Sequence, residues 1–225
     1  MKNKLLTGLL GFFIAILIIT FSIGLPIHFR PFYYMQIDSL GIEEYSGFDR
    51  ETIVEAYDEL LDYLTLPGRD FSTGKLRYSE SGKDHFVDCK VLFDLNTYAF
   101  IISLIGFVTL IILNKKGIFE LWRPFGMNIV FSSGVYTLGG FVVIGGLAAI
   151  NFDVAFTIFH KIFFPGKDNW LFSWYEDEII RVLPQDFFMN CAILILVSII
   201  TLCVGCISAA LIGKYAEKLK AETEI

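Results

Sequence analysis

Four stretches of the sequence contain no Asp, Glu, Lys or Arg and are long enough to cross a lipid bilayer. They comprise residues 5–29, 95–113, 125–152 and 187–213. A spanning helix needs about 20 mainly apolar residues, and no fifth stretch of the sequence comes close. Backbone polar groups inside lipid must be bonded within their own segment, so these stretches are predicted to be helices. The pattern therefore predicts an all-α membrane protein with four transmembrane helices.

The composition supports a membrane location and argues against nucleic acid as a partner. Hydrophobic residues make up 55% of the chain and charged residues 19%, and the mean hydropathy is +0.61. Soluble domains are typically about 45–50% apolar and about 25% charged. The basic residues form no patch of the kind that binds nucleic acid.

The first apolar stretch has an alternative interpretation as a signal peptide, because Lys2 and Lys4 precede it. The apolar region of a signal peptide is about 7–15 residues long and ends at a small-residue cleavage site. This stretch is longer and ends in the sequence GLPIH at 24–28, which is no such site. We therefore expect a retained helix.

The distribution of Lys and Arg predicts the orientation in the membrane. Basic residues are concentrated in the N-terminus, in 114–124 and in the tail, which lie on one side of a four-span protein. The long segments 30–94 and 153–186 carry 10 Lys and Arg against 20 Asp and Glu. Short basic flanks stay in the cytoplasm, so we expect both termini there and the two acidic segments outside the cell.

The predicted layout alternates membrane spans with segments on the two sides. It comprises transmembrane helix 1 at 1–29, an extracellular cap at 30–94, helix 2 at 95–113, a cytoplasmic loop at 114–124, helix 3 at 125–152, an extracellular amphipathic loop at 153–186, helix 4 at 187–213 and a cytoplasmic tail at 214–225. In the cap, 49–64 has apolar residues at helical spacing and 71–79 has weak strand character. Ser81 opens a capping-box pattern, which predicts a helix that runs into helix 2. The cap is thus expected to be mainly helical or a small α/β unit.

Aromatic residues are dense in the second outer segment. Phe residues recur at helical spacing from Phe152 to Phe163, and Trp170, Phe172 and Trp174 follow. Aromatic side chains are enriched at the membrane–water interface. We interpret most of these residues as a belt at the level of the lipid headgroups.

Three histidines, His28, His85 and His160, fall on the predicted outer side near the ends of spans. Histidine is the side chain best matched to proton transfer near neutral pH. Asp88 lies one helical turn after His85, and Asp153 lies seven residues before His160, so either carboxylate could orient its histidine. The alternatives are a surface pair at His85 and Asp88 and an interfacial role for His160. His28 follows a proline and is expected to cap the first span or contact headgroups.

A metal site is disfavoured by the ligand spacing. His85, Asp88, Cys89 and His160 are the available ligands, yet the outer side has no H-x-x-x-H or C-x-x-C pair. The sequence has one C-x-x-C motif, Cys203 to Cys206, inside span four near its cytoplasmic end. Small residues around it favour close helix packing over redox chemistry.

Two segments resemble a known family. The first reads SESGKDHFVDCKVLF at 79–93, and the second reads FHKIFFPGKDNWLF at 159–172 and continues to LPQDFF at 183–188. With four spans at these spacings, they resemble the bacterial lipoprotein intramolecular transacylases, the Lit family. The likeness covers the whole chain, although Cys89 and Lys167 look atypical.

The resemblance implies a function. The sn-2 acyl chain of a diacylglyceryl lipoprotein would move from the glyceryl oxygen to the free α-amine of the N-terminal Cys, giving a lyso-form lipoprotein. His85 and His160 would be the catalytic pair, with Asp88 and Asp153 in support and no cofactor. The partners would be this lipoprotein and the membrane lipids, and the protein would be a multi-pass protein of a bacterial cell membrane, with its active site on the extracellular side.

Two other functions compete with this one. The chain could be a non-enzymatic four-span protein whose extracellular layer binds a partner, with the acidic helix 49–64 as the docking face. It could also be a thiol oxidoreductase, which is disfavoured because Cys203 and Cys206 lie far from the other candidate groups. Substitution of His85 would separate the transacylase hypothesis from the partner-binding hypothesis, because loss of turnover in a well-folded protein favours chemistry.

Overall fold

The computed structural model describes residues 2–223, and this part of the chain is dominated by helices. They are Lys4–His28 (α1), Pro31–Ser39 (α2), Ile42–Ser46 (α3), Arg50–Thr65 (α4), Glu80–Lys115 (α5), Ile129–Ile150 (α6), Phe152–Phe163 (α7), Ile179–Val182 (α8) and Gln185–Thr223 (α9), with a short 3-10 helix at Pro124–Gly126. Two short strands, Lys2–Asn3 (β1) and Glu120–Leu121 (β2), pair in parallel with Lys2 opposite Glu120.

Four of the helices, α1, α5, α6 and α9, are long and apolar enough to cross a membrane. Each covers most of one uncharged stretch, so the predicted all-α membrane fold with four spanning helices is confirmed. In α5 the uncharged stretch begins only at Leu95, and residues 80–94 form an extension of the same helix before it.

One compact unit comprises the described residues of Met1–Ser22, Tyr98–Gly146 and Leu196–Ile225. Small residues allow its helices to pack closely. A Cβ on Gly106 would lie only 2.4 Å from the ring of Phe13. A Cβ on Gly134 would lie 3.0 Å from the carbonyl oxygen of Cys203, whose thiol is free. Cys203 therefore lies where two helices approach each other, the kind of contact that holds membrane helices together.

The other unit comprises Ile23–Thr97 and Leu147–Ile195 and encloses a hydrophobic core. The fully buried members are Tyr33, Ile37, Ile42, Ile53, Ala56, Ile179 and Val182. The ring of Tyr33 stacks on Tyr57 with centroids 3.8 Å apart, and its hydroxyl donates to the Val182 carbonyl at 2.6 Å. The apolar face predicted for α4 packs into this core, since Leu60 and Leu61 are buried with Ile53.

Residues 71–79 form an irregular loop, where the sequence suggested a strand, and the described part of the cap is helical. Two backbone donors of this loop are bonded by side chains of a later segment. Glu178 accepts from the amide of Arg77 at 3.0 Å, and Asp177 accepts from the amide of Ser79 at 2.8 Å. These carboxylates take the place of the neighbouring strand that a sheet would require.

Helix α5 begins at Glu80, and its capping residue, Ser79, lies two residues before the Ser81 that the sequence indicated. The hydroxyl of Ser79, and not that of Ser81, accepts a hydrogen bond from the amide of Gly82, at 3.0 Å. The same hydroxyl donates to Asp177 at 2.8 Å. The start of α5 is therefore fixed to the segment that follows α7.

Candidate active site

Two of the three histidines meet in the second unit. His85 lies on the extension of α5 and is 5% exposed, and His160 lies on α7 and is 7% exposed. Their ring centroids are 5.7 Å apart, with an angle of 31° between the ring planes. His28 ends α1 with an exposed ring and is outside this pair. The proximity of His85 and His160 is what the two-histidine hypothesis requires.

Aromatic rings surround both histidines. Phe164 and Phe172 meet the ring of His85 edge-on, with centroid distances of 4.8 Å and 5.4 Å. Trp170 stacks on His160 at 4.7 Å. The sequence interpretation assigned most aromatics of this segment to a headgroup belt, whereas these three line the histidine pair. Pro165 and Gly166 in the sequence predict that the helix ends and the chain turns. They do not predict which residues the segment after the turn contacts.

The two imidazoles are held differently. Nδ1 of His160 lies 2.7 Å from the carbonyl oxygen of Phe156, one turn earlier on α7. A carbonyl only accepts, so Nδ1 carries the proton and Nε2 keeps its lone pair in neutral His160. Nε2 of His85 lies 3.4 Å from the thiol sulfur of Cys89. Nδ1 of His85 is buried and has no hydrogen-bond partner within residues 2–223.

Neither predicted supporting carboxylate bonds its histidine directly. Asp88 accepts two bonds from Nζ of Lys167, at 2.6 Å and 2.7 Å, and one from the side-chain amide of Asn169, at 3.0 Å. Lys167 and Asn169 come from the loop after α7, and no pattern in the sequence indicated a role for either.

Asp153 accepts a hydrogen bond from the side chain of Gln185. The Phe156 carbonyl holds the ring nitrogen of His160 that Asp153 was expected to orient. A spacing of seven residues predicts that Asp153 and His160 share a face of α7, but a helix can satisfy a histidine with its own backbone at i−4. Among residues 2–223, no group of three or more His, Cys, Asp or Glu side chains could hold a metal ion.

The electrostatic setting keeps both histidines neutral. Burial, together with the neighbouring His160, lowers the pKa of His85 to about 4, while Asp88 acts in the opposite direction. Burial also lowers the pKa of His160, against the bond to the Phe156 carbonyl. Although burial opposes it, bonding by Lys167 and Asn169 holds the pKa of Asp88 below its ordinary value. Near neutral pH the site thus contains two uncharged bases beside a neutralised carboxylate.

Comparison with known proteins identifies the family. The family described as lipoprotein intramolecular transacylase Lit matches residues 8–188. The solved structure of the membrane integral transacylase Lit from Bacillus cereus is 28% identical in sequence, with a TM-score of 0.84, over 97% of this chain and 97% of that chain.

Two variants of the Bacillus cereus protein are also similar. The one with the H85R mutation is 27% identical over 98% of this chain and 94% of that one, with a TM-score of 0.78. The one with the H85A mutation is 28% identical over 97% of this chain and 95% of that one, also with a TM-score of 0.78.

No curated protein sequence matches the chain. The family match over most of the chain favours an enzyme over a non-enzymatic partner-binding protein. The chain is therefore a membrane-integral enzyme and belongs to the Lit family of lipoprotein intramolecular transacylases.

Proposed function

We propose that this enzyme transfers the sn-2 acyl chain of a diacylglyceryl lipoprotein to the free α-amine of the lipoprotein's N-terminal Cys. The product is an N-acyl, S-monoacylglyceryl lyso-form lipoprotein. Membership in the family supports a lipoprotein substrate. The observation that carries the mechanism is the pair of buried imidazoles, with centroids 5.7 Å apart.

The proposed reaction joins two groups of one molecule. The amine nitrogen attacks the ester carbonyl carbon, and the C=O π electrons move to oxygen to form a tetrahedral oxyanion. Collapse of this oxyanion breaks the bond to the glyceryl oxygen and leaves an amide. One proton leaves the nitrogen and one reaches the glyceryl oxygen, so the step balances without a co-reactant. Attack closes an eight-membered ring, and holding the substrate in that ring is an orientation effect that lowers the barrier.

Two neutral bases match the protons that must move. An α-amino group has a pKa of about 7.7–8.0, so the substrate amine is mostly an ammonium ion near neutral pH. One proton must leave before attack, and a second must pass from nitrogen to the glyceryl oxygen. His160 presents Nε2 as an acceptor because its Nδ1 is bonded to the Phe156 carbonyl. His85 is the second base in this scheme.

The surface of the second unit supports a site at the depth of the lipid esters. On α7 His160 is buried while Ile158 and Ile162 are exposed, as expected for a helix lying in the interface. The extension of α5 exposes Val87 and Val91 in line with Leu95, so its apolar surface continues beyond the uncharged stretch. His85 lies ten residues before Leu95, which corresponds to about 15 Å along a straight helix. Because this apolar surface extends over that distance, we infer that the extension contacts lipid and that His85 lies close to the acyl esters.

The proposed orientation places this unit in the outer leaflet and both termini in the cytoplasm. The positive-inside rule supports it, because the short basic segments are those that contain the termini and 114–124. The lipoprotein's peptide lies outside the cell, so a site on that side meets the N-terminal Cys and both acyl esters together.

Single substitutions test the two histidines. We expect His85→Ala and His160→Ala each to lower formation of the lyso-form product by at least about a hundredfold, since each removes a base. The measurement is mass spectrometry of the N-terminal peptide of a model lipoprotein incubated with each purified variant.

His28→Ala is the matched control, because His28 ends α1 with an exposed ring. It should keep most of the activity, and all three variants should elute and melt like the parent protein. Near-parent turnover by the His85 or His160 variant would remove that residue from the mechanism.

A further inference from the structure

The side-chain amide of Asn169 has a defined orientation. Its Nδ2 lies 3.0 Å from a carboxylate oxygen of Asp88. Asp88 is ionised, because bonding by Lys167 and Asn169 holds its pKa below the ordinary value. An ionised carboxylate only accepts hydrogen bonds, so the NH₂ end of the amide must face Asp88. The oxygen end, Oδ1, therefore faces away from Asp88.

Two buried polar atoms of the site are without partners. Within residues 2–223, Oδ1 of Asn169 and Nδ1 of His85 are buried and make no hydrogen bond. The two side chains are near enough that Asn169 influences the ionisation of His85, favouring its protonated form. An unmade hydrogen bond to a buried group is costly, so a pair of such atoms on neighbouring side chains is expected to close.

We propose that Asn169 is a positioning residue whose Oδ1 accepts the Nδ1 proton of His85, fixing the tautomer that presents the Nε2 lone pair to the substrate. This inference rests on the proposed function and deepens it. Hydrogen bonds in a site without substrate are commonly long, and they tighten when the substrate binds.

The contact on the other ring nitrogen agrees with this tautomer. Nε2 of His85 lies 3.4 Å from the Cys89 sulfur, and burial raises the pKa of that thiol to about 12. The group is therefore a thiol, which can donate weakly to an Nε2 lone pair. With Nδ1 protonated, each ring nitrogen of the substrate-free enzyme faces a partner of the complementary kind, and the substrate proton replaces the weak thiol contact at Nε2.

An amide between Asp88 and His85 transmits orientation without placing a carboxylate in contact with the imidazole. A carboxylate in direct contact with an imidazole favours the imidazolium ion. Here Lys167 neutralises Asp88, and neutral Asn169 separates that ion pair from His85. The charged or titratable groups that face His85 are thus Asp88, Lys167, Cys89 and His160. The arrangement fixes the ring and leaves it a neutral base.

The tautomer is measured directly by ¹⁵N NMR of detergent-solubilised full-length protein labelled at the histidine ring nitrogens. The signals of His85 are those missing from His85→Ala. We expect the parent to show a protonated Nδ1 and an unprotonated Nε2 at His85, and Asn169→Ala to show a mixture of tautomers. A protonated Nε2 in the parent, or an unchanged tautomer in Asn169→Ala, would overturn the proposal.

The pH profile of turnover supplies the second readout. Asn169→Asp keeps the size of the side chain and places a carboxylate against His85, so the acidic limb of kcat should move to higher pH by about one unit or more. Asn169→Ala should lower kcat about tenfold to a hundredfold. Asn190→Ala is the matched control, because the Asn190 amide donates elsewhere, to Gln36 at 2.7 Å, and its pH profile should equal that of the parent.

The outcomes separate this proposal from the proposed function. If His85→Ala is inactive while both Asn169 variants keep the parent's pH profile and kcat, the positioning role is wrong and the mechanism stands. If His85→Ala is active, the mechanism is wrong, and the ¹⁵N spectra still decide whether Asn169 sets the tautomer.

Discussion

At the scale of single residues, the Nδ1 atoms of the two histidines differ, since one has an observed partner and the other a proposed one. His160 uses the carbonyl of Phe156, four residues earlier on the same helix. That contact is encoded locally, and it is available to a histidine at any such helical position. For His85 we assign a loop residue, Asn169, that is 84 positions later in the chain. No periodicity within α5 could indicate it.

The two histidines that the sequence singled out lie together, whereas neither predicted supporting carboxylate bonds its histidine. Helical spacing correctly placed Asp88 near His85, but spacing does not show which other groups compete for a carboxylate. Lys167 and Asn169 take up the oxygens of Asp88, and Gln185 bonds Asp153. Long-range pairing between a helix and a loop has no signature in a single sequence.

The lowered pKa values of the histidines predict an unusual pH dependence. Burial lowers the pKa of His85 to about 4 and that of His160 below its ordinary value. An exposed imidazole loses its base form as pH falls through about 6.5. A base with a lowered pKa keeps that form to lower pH, so kcat should persist below pH 6.5, and the base form of His85 should be lost only toward pH 4. The profile should be measured at saturating substrate, because kcat/KM also reports ionisation of the free amine. A decline centred near 6.5 would contradict the burial argument.

At the scale of secondary structure, the membrane spans were predictable because the bilayer allows few alternatives. A chain of about 20 apolar residues in lipid must be helical, and α1, α5, α6 and α9 follow that requirement. The segment between α7 and α9 was not predictable in the same way. Asp177 fixes it by accepting from the amide of Ser173 at 3.0 Å as well as from Ser79. These bonds depend on tertiary structure and not on local propensity.

Gly82 tests whether this junction matters for the site. A Cβ at this position would lie 2.4 Å from Oδ1 of Asp177 and 3.0 Å from the ring of Phe172, which packs on His85. In an exposed helix, Gly→Ala stabilises by about 1 kcal/mol. Here we expect Gly82→Ala to destabilise the protein by about 1–3 kcal/mol through overpacking, and to reduce turnover as Phe172 moves.

The matched control for this substitution is Gly139→Ala in α6, where a Cβ would meet nothing within 4 Å. Thermal unfolding in detergent and lyso-product formation should be compared for both variants. If Gly82→Ala melts at or above the parent temperature with full turnover, the overpacking argument at this junction is wrong.

At the scale of the whole molecule, the chemistry and the membrane anchor share a helix. The 80–97 part of α5 belongs to the compact unit that contains the histidines, and the 98–115 part belongs to the other unit. The same division occurs in α9, at residues 195 and 196. His85 and the uncharged stretch of α5 are therefore parts of one continuous helix.

The orientation of the chain in the membrane is the prediction on which the mechanism depends. Lys75 and Lys220 have exposed side chains on segments that we place on opposite sides. Lys75→Cys and Lys220→Cys are therefore compared for labelling of intact cells with a membrane-impermeant maleimide. The parent protein is labelled in parallel, and the labelling of its own free thiols is subtracted as background.

We expect position 75 to label in intact cells, because the acidic segment 30–94 is assigned outside. Position 220 should label only after permeabilisation, because it lies in a short basic tail that the positive-inside rule retains in the cytoplasm. The opposite result would put His85 on the cytoplasmic side, since it lies in the same segment as position 75. An acyl transfer between the ester and the N-terminal amine of an exported lipoprotein would then have no site on the side where that amine lies.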